Sequence, residues 1–241
     1  MRILIIRHGD PDYINDTLTA KGHREAELLS MRLAEEKIDY FYVSPLGRAQ
    51  ATAAHTLEKT GRKAVTLDWL QEFEPRIWRP DKSDRKTRVW DWLPQDWTSQ
   101  DVFYDFDHWA DHPLLAEADV KGEYRKVCDG LDDLLARHGY VHDGKVFVVT
   151  KANHDTICLF CHFGVQMVML SHLLHIPVMP LWHGFAAAPS SVTVLYSEER
   201  RKDTAYFRVQ SFGDLTHLNA NGQEPSFHAR YCECFDDETI H

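Results

Sequence analysis

Apolar positions along this chain switch between the period of a strand and the period of a helix, in the order expected of an α/β protein. Arg2 to Ile6 is a short, nearly unbroken apolar run, the pattern of a strand buried on both faces. Thr19 then offers a helix N-cap. Behind it Ala26, Leu28, Leu29, Met31 and Leu33 recur at helical spacing, which predicts an amphipathic helix over Lys21 to Lys37. Tyr40 to Ser44 predicts a second strand, Ala49 to Lys59 a helix closed by Gly61, and Val65 to Leu67 a short third strand.

From Arg76 to His112 the periodicity is lost. Trp78, Trp90, Trp92, Trp97 and Trp109 stand among charges of both signs, the pattern of an insertion or lid rather than of sheet. Helical spacing returns over Glu123 to His138, with Gly139 ending the segment. Lys145 to Thr150 and Thr156 to Cys161 read as strands, and the five residues between them predict a hairpin. Val165 to Ile176 is apolar nearly all round, as a buried helix should be, and Pro177 stops it. Ser191 to Tyr196 and Ala205 to Phe212 predict the last strands. The expected organisation is one domain over residues 1–218, an insertion at about 76–122 and a polar, loosely packed tail over 219–241.

Composition narrows the class. The formal net charge is -10 with no long basic stripe, which argues against a nucleic-acid partner. No apolar run approaches the ~20 residues of a membrane-spanning helix, and nothing near Met1 reads as a signal peptide. Five cysteines, an odd number, fit reduced thiols and a cytoplasmic location. Nothing in the composition reads out an oligomeric state.

The chemistry begins at the end of the first predicted strand, with Arg7-His8-Gly9. In open parallel α/β sheets ligands bind beyond the strand carboxyl ends, and glycine there lets backbone approach closely. The second strand leads into Ser44-Pro45-Leu46-Gly47-Arg48, which places Arg48 at a helix N-terminus, a setting that favours anions. Leu70-Gln71-Glu72 follows the third strand, and Cys161-His162-Phe163-Gly164 follows the fifth.

Together these four elements, in this order, resemble the histidine phosphatase superfamily, whose fold is phosphoglycerate mutase-like. Leu18-Thr19-Ala20-Lys21-Gly22, Thr52-Ala53 and Ser190-Ser191-Val192-Thr193 support the match. The resemblance covers roughly residues 1–75 and 140–218. It implies a three-layer α/β/α domain with a mainly parallel, doubly wound sheet. His8 is then the nucleophile that forms a phosphohistidine, Arg7, Arg48 and His162 hold the phosphoryl oxygens, and Glu72 is the proton donor, with Glu74 as its rival. Asn15 and Phe163 are further candidates for substrate contact. Both depart from the family pattern: Asn15 lies one position late, and Phe163 replaces a usual glycine. No metal and no cofactor are expected, since two arginines supply the positive charge and no acidic cluster suited to Mg²⁺ accompanies the motifs.

Each role suits its residue. A neutral imidazole is a competent nucleophile near pH 7. Phosphoryl transfer spreads charge over the equatorial oxygens, which guanidinium forks are shaped to hold. The reading is a metal-independent phosphatase acting on a small phosphate monoester. A phosphomutase and a non-catalytic binder of a phosphorylated ligand are the alternatives. Cys158 and Cys161, three apart on one strand, point to opposite faces and read as core rather than as a metal or redox pair. His228, Cys232 and Cys234 read as tail rather than as metal ligands, and His154, His183 and His217 as surface or hydrogen-bonded residues.

Overall fold

Ile3 to Ile6 are fully buried, and they lie in the strand on which the rest of the fold is laid. In the computed structural model, which describes residues 1–228, this is β1 (Arg2–Arg7). The strands that follow are β2 (Pro11–Asp12), β3 (Thr17–Leu18), β4 (Tyr40–Val43), β5 (Val65–Thr66), β6 (Arg76–Ile77) and β7 (Thr87–Arg88). After the insertion come β8 (Tyr140–Asp143), β9 (Val146–Val149), β10 (Thr156–Cys161), β11 (Val192–Arg201) and β12 (Thr204–Asp214). The helices are α1 (Ala20–Ala34), α2 (Gly47–Thr60), α3 (Pro94–Trp97), α4 (Pro113–Glu117), α5 (Val120–Arg137), α6 (Phe163–Leu174), α7 (Val178–Gly184) and α8 (Thr216–Asn219).

Eight strands form one sheet in the order β5-β4-β10-β1-β11-β12-β9-β8. The half from β5 to β1 is parallel throughout, and β11, β12, β9 and β8 continue it by antiparallel pairing. Six of the eight strands therefore run the same way, and helices cover both faces, as expected of a three-layer α/β/α fold.

The two faces are separate cores because successive side chains of a strand point to opposite sides. Leu4, Ile6, Cys158 and Phe160 pack with Leu29 and Leu33 of α1 and Ala49 and Ala53 of α2. Ile3, Ile5, Leu159 and Cys161 pack on the other side with α5 and α6. Cys158 and Cys161 thus sit in different cores, both as buried free thiols.

Local signals explain several boundaries. The Thr19 hydroxyl accepts from the Gly22 amide at 3.0 Å and caps α1, and Gly61, at φ 65°, closes α2. The hairpin expected between Lys145–Thr150 and Thr156–Cys161 does not form. β9 pairs with β8 and β12, whereas β10 pairs with β1 and β4. The hairpin is β8–β9 instead, turned at Gly144 (φ 62°), because glycine at the first turn position suits a two-residue connection. α6 starts two residues earlier than expected and ends at Leu174, with His175 left-handed at φ 55°. Pro177 then caps a further helix, α7, that periodicity did not reveal.

The insertion is mixed in character. It carries a small ribbon of β6 and β7 and several short helices. Trp92, Trp97 and Trp109 are buried in the same core as α5 and α6, while Trp78 is exposed and Trp90 half-buried. Trp109 meets Tyr124 and Trp182 edge-on, and Trp97 lies against His183. Most of these tryptophans are therefore scaffold.

Candidate active site

Because β4, β10 and β1 are parallel neighbours, their carboxyl ends open on one edge of the sheet. β1 delivers Arg7 and His8, β10 delivers His162, and β4 leads through Ser44 to Arg48 at the start of α2. All four are buried, and the His8 and His162 rings lie 5.1 Å apart.

The protonation of His8 follows from a single contact. Its Nδ1 lies 2.7 Å from the carbonyl oxygen of Gly9. A carbonyl only accepts, so Nδ1 carries the proton and Nε2 keeps its lone pair. Burial lowers the pKa of His8 well below the ordinary imidazole value, helped by the positive Arg7 and Arg48 and opposed by the Gly9 contact. The lowered pKa keeps the His8 ring neutral, and Nε2 is the nitrogen left without a proton.

The loop that carries it is fixed from behind. The Gly9 amide donates to the Thr52 hydroxyl at 2.9 Å, and that hydroxyl donates to the Arg48 carbonyl at 2.8 Å. Gly9 is required here by close packing within the protein: a Cβ on it would stand 2.8 Å from the Gly22 carbonyl oxygen of α1. The Arg7 and His8 main chain is also tied to Ser191 and Ser190, the latter left-handed at φ 62°.

Arg7 donates from Nη1 to the Ala187 carbonyl at 2.5 Å and from Nη2 to the His228 carbonyl at 2.9 Å. Arg48 donates to Asp16 at 2.6 Å, and the second oxygen of Asp16 accepts from the Gly47 amide at 2.6 Å. His162 contacts the Ser44 hydroxyl through Nε2 at 2.8 Å, and its buried Nδ1 has no protein partner. Burial lowers its pKa well below the ordinary value, with His8, Arg48 and Arg7 adding to the effect.

Glu72 is buried, and its Oε1 accepts from the amides of Phe73 (2.8 Å) and Val165 (3.2 Å). Burial raises its pKa above the usual carboxylate value, against the pull of the Phe73 amide and Arg7. A raised carboxyl pKa is what a proton donor needs. Glu74 is half-exposed and forms two contacts with Arg88, at 2.8 and 3.2 Å, so the surface ion pair occupies it. Phe163 opens α6 with its ring between the Arg7 guanidinium (5.9 Å) and Trp90 (5.8 Å, edge-on). The close approach that glycine would allow at 163 occurs one residue later. A Cβ on Gly164 would stand 2.7 Å from both Glu72 Oε1 and Trp90 Nε1.

Asn15 is not drawn into this cluster. It is exposed, and its side-chain amide donates to Asp12 at 2.8 Å; the next residue, Asp16, makes the contact to Arg48. The other histidines also lie elsewhere. His183 accepts from the Trp92 amide, and burial pushes its pKa down to about 4. His217 contacts Ser190, and burial brings it likewise to about 4; His154 is exposed. Among the described residues, no three metal-ligating groups converge at this edge of the sheet. Cys232 and Cys234 lie outside the described residues.

The segment after α8 is mostly exposed over residues 220–228 but is anchored at Ser226. Ser226 is buried and donates to Asp10, which also accepts from the Thr19 hydroxyl at 2.6 Å. Lys21 holds the Pro225 carbonyl at 3.0 Å, and the His228 ring stands edge-on to Tyr13. Beneath them lies Glu25, fully buried, accepting from the Asp10 amide at 2.8 Å, with its pKa pushed by burial to about 7.

A sequence model of the histidine phosphatase superfamily (branch 1) matches residues 3–209. The chain belongs to that family. It is 22% identical over 214 residues to phosphoserine phosphatase 1 of Hydrogenobacter thermophilus, covering 83% of this chain and 89% of that one. The 2,3-bisphosphoglycerate-dependent phosphoglycerate mutase of Bartonella tribocorum is 36% identical, but over 27% of this chain and 37% of its own. Among solved structures, a histidine-to-alanine variant of Entamoeba histolytica phosphoserine phosphatase with bound phosphoserine superposes at a TM-score of 0.58. That match has 17% identity and covers 90% of this chain and 98% of the other.

Proposed function

We propose that this member of the family is a phosphatase that hydrolyses a small phosphate monoester through a phosphohistidine on His8. The observation that carries the reading is the Gly9 carbonyl on His8 Nδ1, which leaves Nε2 as a lone pair among Arg7, Arg48 and His162. In the first step Nε2 attacks phosphorus, the bond to the leaving oxygen breaks, and Glu72 gives its proton to that oxygen. In the second step the Glu72 carboxylate takes a proton from water. The resulting hydroxide attacks phosphorus, the P–N bond breaks, and His8 returns neutral. Arg7, Arg48 and His162 Nδ1 hold the equatorial oxygens throughout, where transition-state charge accumulates.

Hydrolysis is favoured over mutase chemistry because the relative matched over most of the chain is a phosphatase, whereas the mutase match spans 27% of it. Turnover is favoured over mere binding because a buried carboxyl group with a raised pKa sits on the first turn of α6, the helix that His162 caps. The half-buried Trp90 and Phe163, on the Glu72 side, are proposed to meet the leaving group. Among the described residues no helix is long and apolar enough to cross a membrane. The three cysteines among the described residues are buried and unpaired. This fits a reducing compartment, which we propose to be the cytoplasm. Labelled substrate quenched during turnover should leave an acid-labile, base-stable phosphoenzyme. His8→Ala should lose both label and turnover, and full activity in that variant would refute the mechanism.

A further inference from the structure

We propose that Asp132, His142 and His172 form a zinc-binding site on the side of the molecule remote from the phosphate chemistry. The three residues come from separate elements: Asp132 from α5, His142 from β8 and His172 from α6. His172 Nε2 lies 2.8 Å from one Asp132 oxygen and His142 Nδ1 3.2 Å from the other. One ligating atom from each residue lies within 4.8 Å of the others. Zinc bonds nitrogen and oxygen at about 2.0–2.2 Å, so a tetrahedral ion spaces its ligand atoms by roughly 3.3 Å. Each imidazole already stands near that spacing from one or other oxygen of Asp132, and drawing the three ligand atoms in from within 4.8 Å completes the arrangement.

Two imidazoles and one carboxylate select a borderline ion such as Zn²⁺ over Mg²⁺ or Ca²⁺, which take mainly oxygen ligands. Asp132 and His142 are about a quarter exposed, at 26% and 22% of their side chains, which gives an ion a path inward and leaves the fourth position to water. A further imidazole borders the group. The His175 ring lies 5.8 Å from that of His142, and its Nε2 is 3.0 Å from the Gly144 carbonyl. Its buried Nδ1 therefore carries a lone pair, and that lone pair has no partner.

His172 lies nine residues along α6 from Phe163, or ~14 Å at 1.5 Å per residue. An ion there does not reach the phosphoryl group. It would fasten β8, the outermost strand of the sheet, to two helices on one face.

The test uses the full chain, stripped with a chelator, dialysed and titrated with Zn²⁺ by calorimetry and with Co²⁺ by visible absorption. One ion per chain is expected, with a rise in Tm and the d–d bands of four-coordinate cobalt. His142→Gln and His172→Gln should each weaken binding on the order of 100-fold or more while phosphate release is unchanged. His8→Ala and the double variant Cys232→Ser/Cys234→Ser should bind as the parent does. Should either histidine variant fail to fold, anomalous scattering at the zinc edge from zinc-soaked crystals of the parent decides the matter. A peak between Asp132, His142 and His172 supports the site. No stoichiometric binding, binding that survives both histidine variants, or a peak elsewhere overturns it and leaves a hydrogen-bonded cluster only.

Discussion

Glu72 Oε1 lies 3.2 Å from the backbone nitrogen of Val165, so the proposed proton donor is held on the first turn of the helix that His162 caps. A helix N-terminus favours the charged carboxylate, yet burial prevails and the pKa is raised. The proposed acid and the proposed phosphate-binding histidine are thus positioned by one rigid element.

Gly164 maintains that arrangement. An added Cβ would stand 2.7 Å from Glu72 Oε1 and from Trp90 Nε1, so Gly164→Ala must displace one or both. A shift of about 1 Å in a catalytic group costs roughly 10²-fold in rate. A loss of kcat of that order, with an unchanged circular-dichroism spectrum, is the expected result.

Glu72 and Glu74 are separated by leaving-group chemistry. An alkoxide is far more basic than a nitrophenolate and needs the proton more. Glu72→Gln should slow alkyl phosphates by ~10²–10⁴-fold and aryl phosphates much less. Glu74→Gln removes an exposed pair with Arg88, the kind worth ~0–1 kcal/mol, and should change either rate little. Steady-state kinetics on the two substrate classes checks this, and the opposite ranking moves the acid role to Glu74.

Glu25 sets a pH dependence of stability. Its pKa is about 7 in the folded protein against 4.5 ordinarily, so between those values the folded state holds the extra proton. Stability from this group is complete below pH 4.5 and declines as pH rises through 7. At 1.36 kcal/mol per pH unit the decline amounts to roughly 3–4 kcal/mol at the most. Glu25→Gln should flatten it, giving a higher Tm than the parent at pH 8 and little difference at pH 4.5.

The tryptophans of the insertion should divide by position. Trp90 donates to the Phe73 carbonyl and meets Phe163 beside the site. Trp97 is buried in the core. Trp90→Ala should raise KM for a bulky substrate several-fold while sparing a small aryl phosphate. Trp97→Ala should leave KM alone and cost ~3–5 kcal/mol of stability.

What was legible in the sequence was local. β10 appears in full from its apolar run, and the cap of α1 from Thr19. That Arg7, His8, Arg48 and His162 would gather at one edge of the sheet was readable because each lies at or beyond a strand end in the family's order. Pairing partners were not legible, since β9 and β10 are close in sequence yet separated in the sheet by three strands. The Asp143-Gly144 step was a turn signal that marked the true hairpin. Asp16 escaped notice because a carboxylate is not expected in a phosphate pocket, and Ser226 because polar composition conceals burial.

Both guanidinium groups of the site are already engaged, Arg48 by Asp16 and Arg7 by the Ala187 and His228 carbonyls. Each also keeps its Nε–H buried and without a protein partner. Under the proposed function the protein contacts orient each fork while these donors stay in reserve, so a phosphoryl group that reaches them need not first displace Asp16 or a carbonyl. Phosphate monoesters gain their second negative charge near pH 6, and a pocket held ready in this way would take the dianion most strongly.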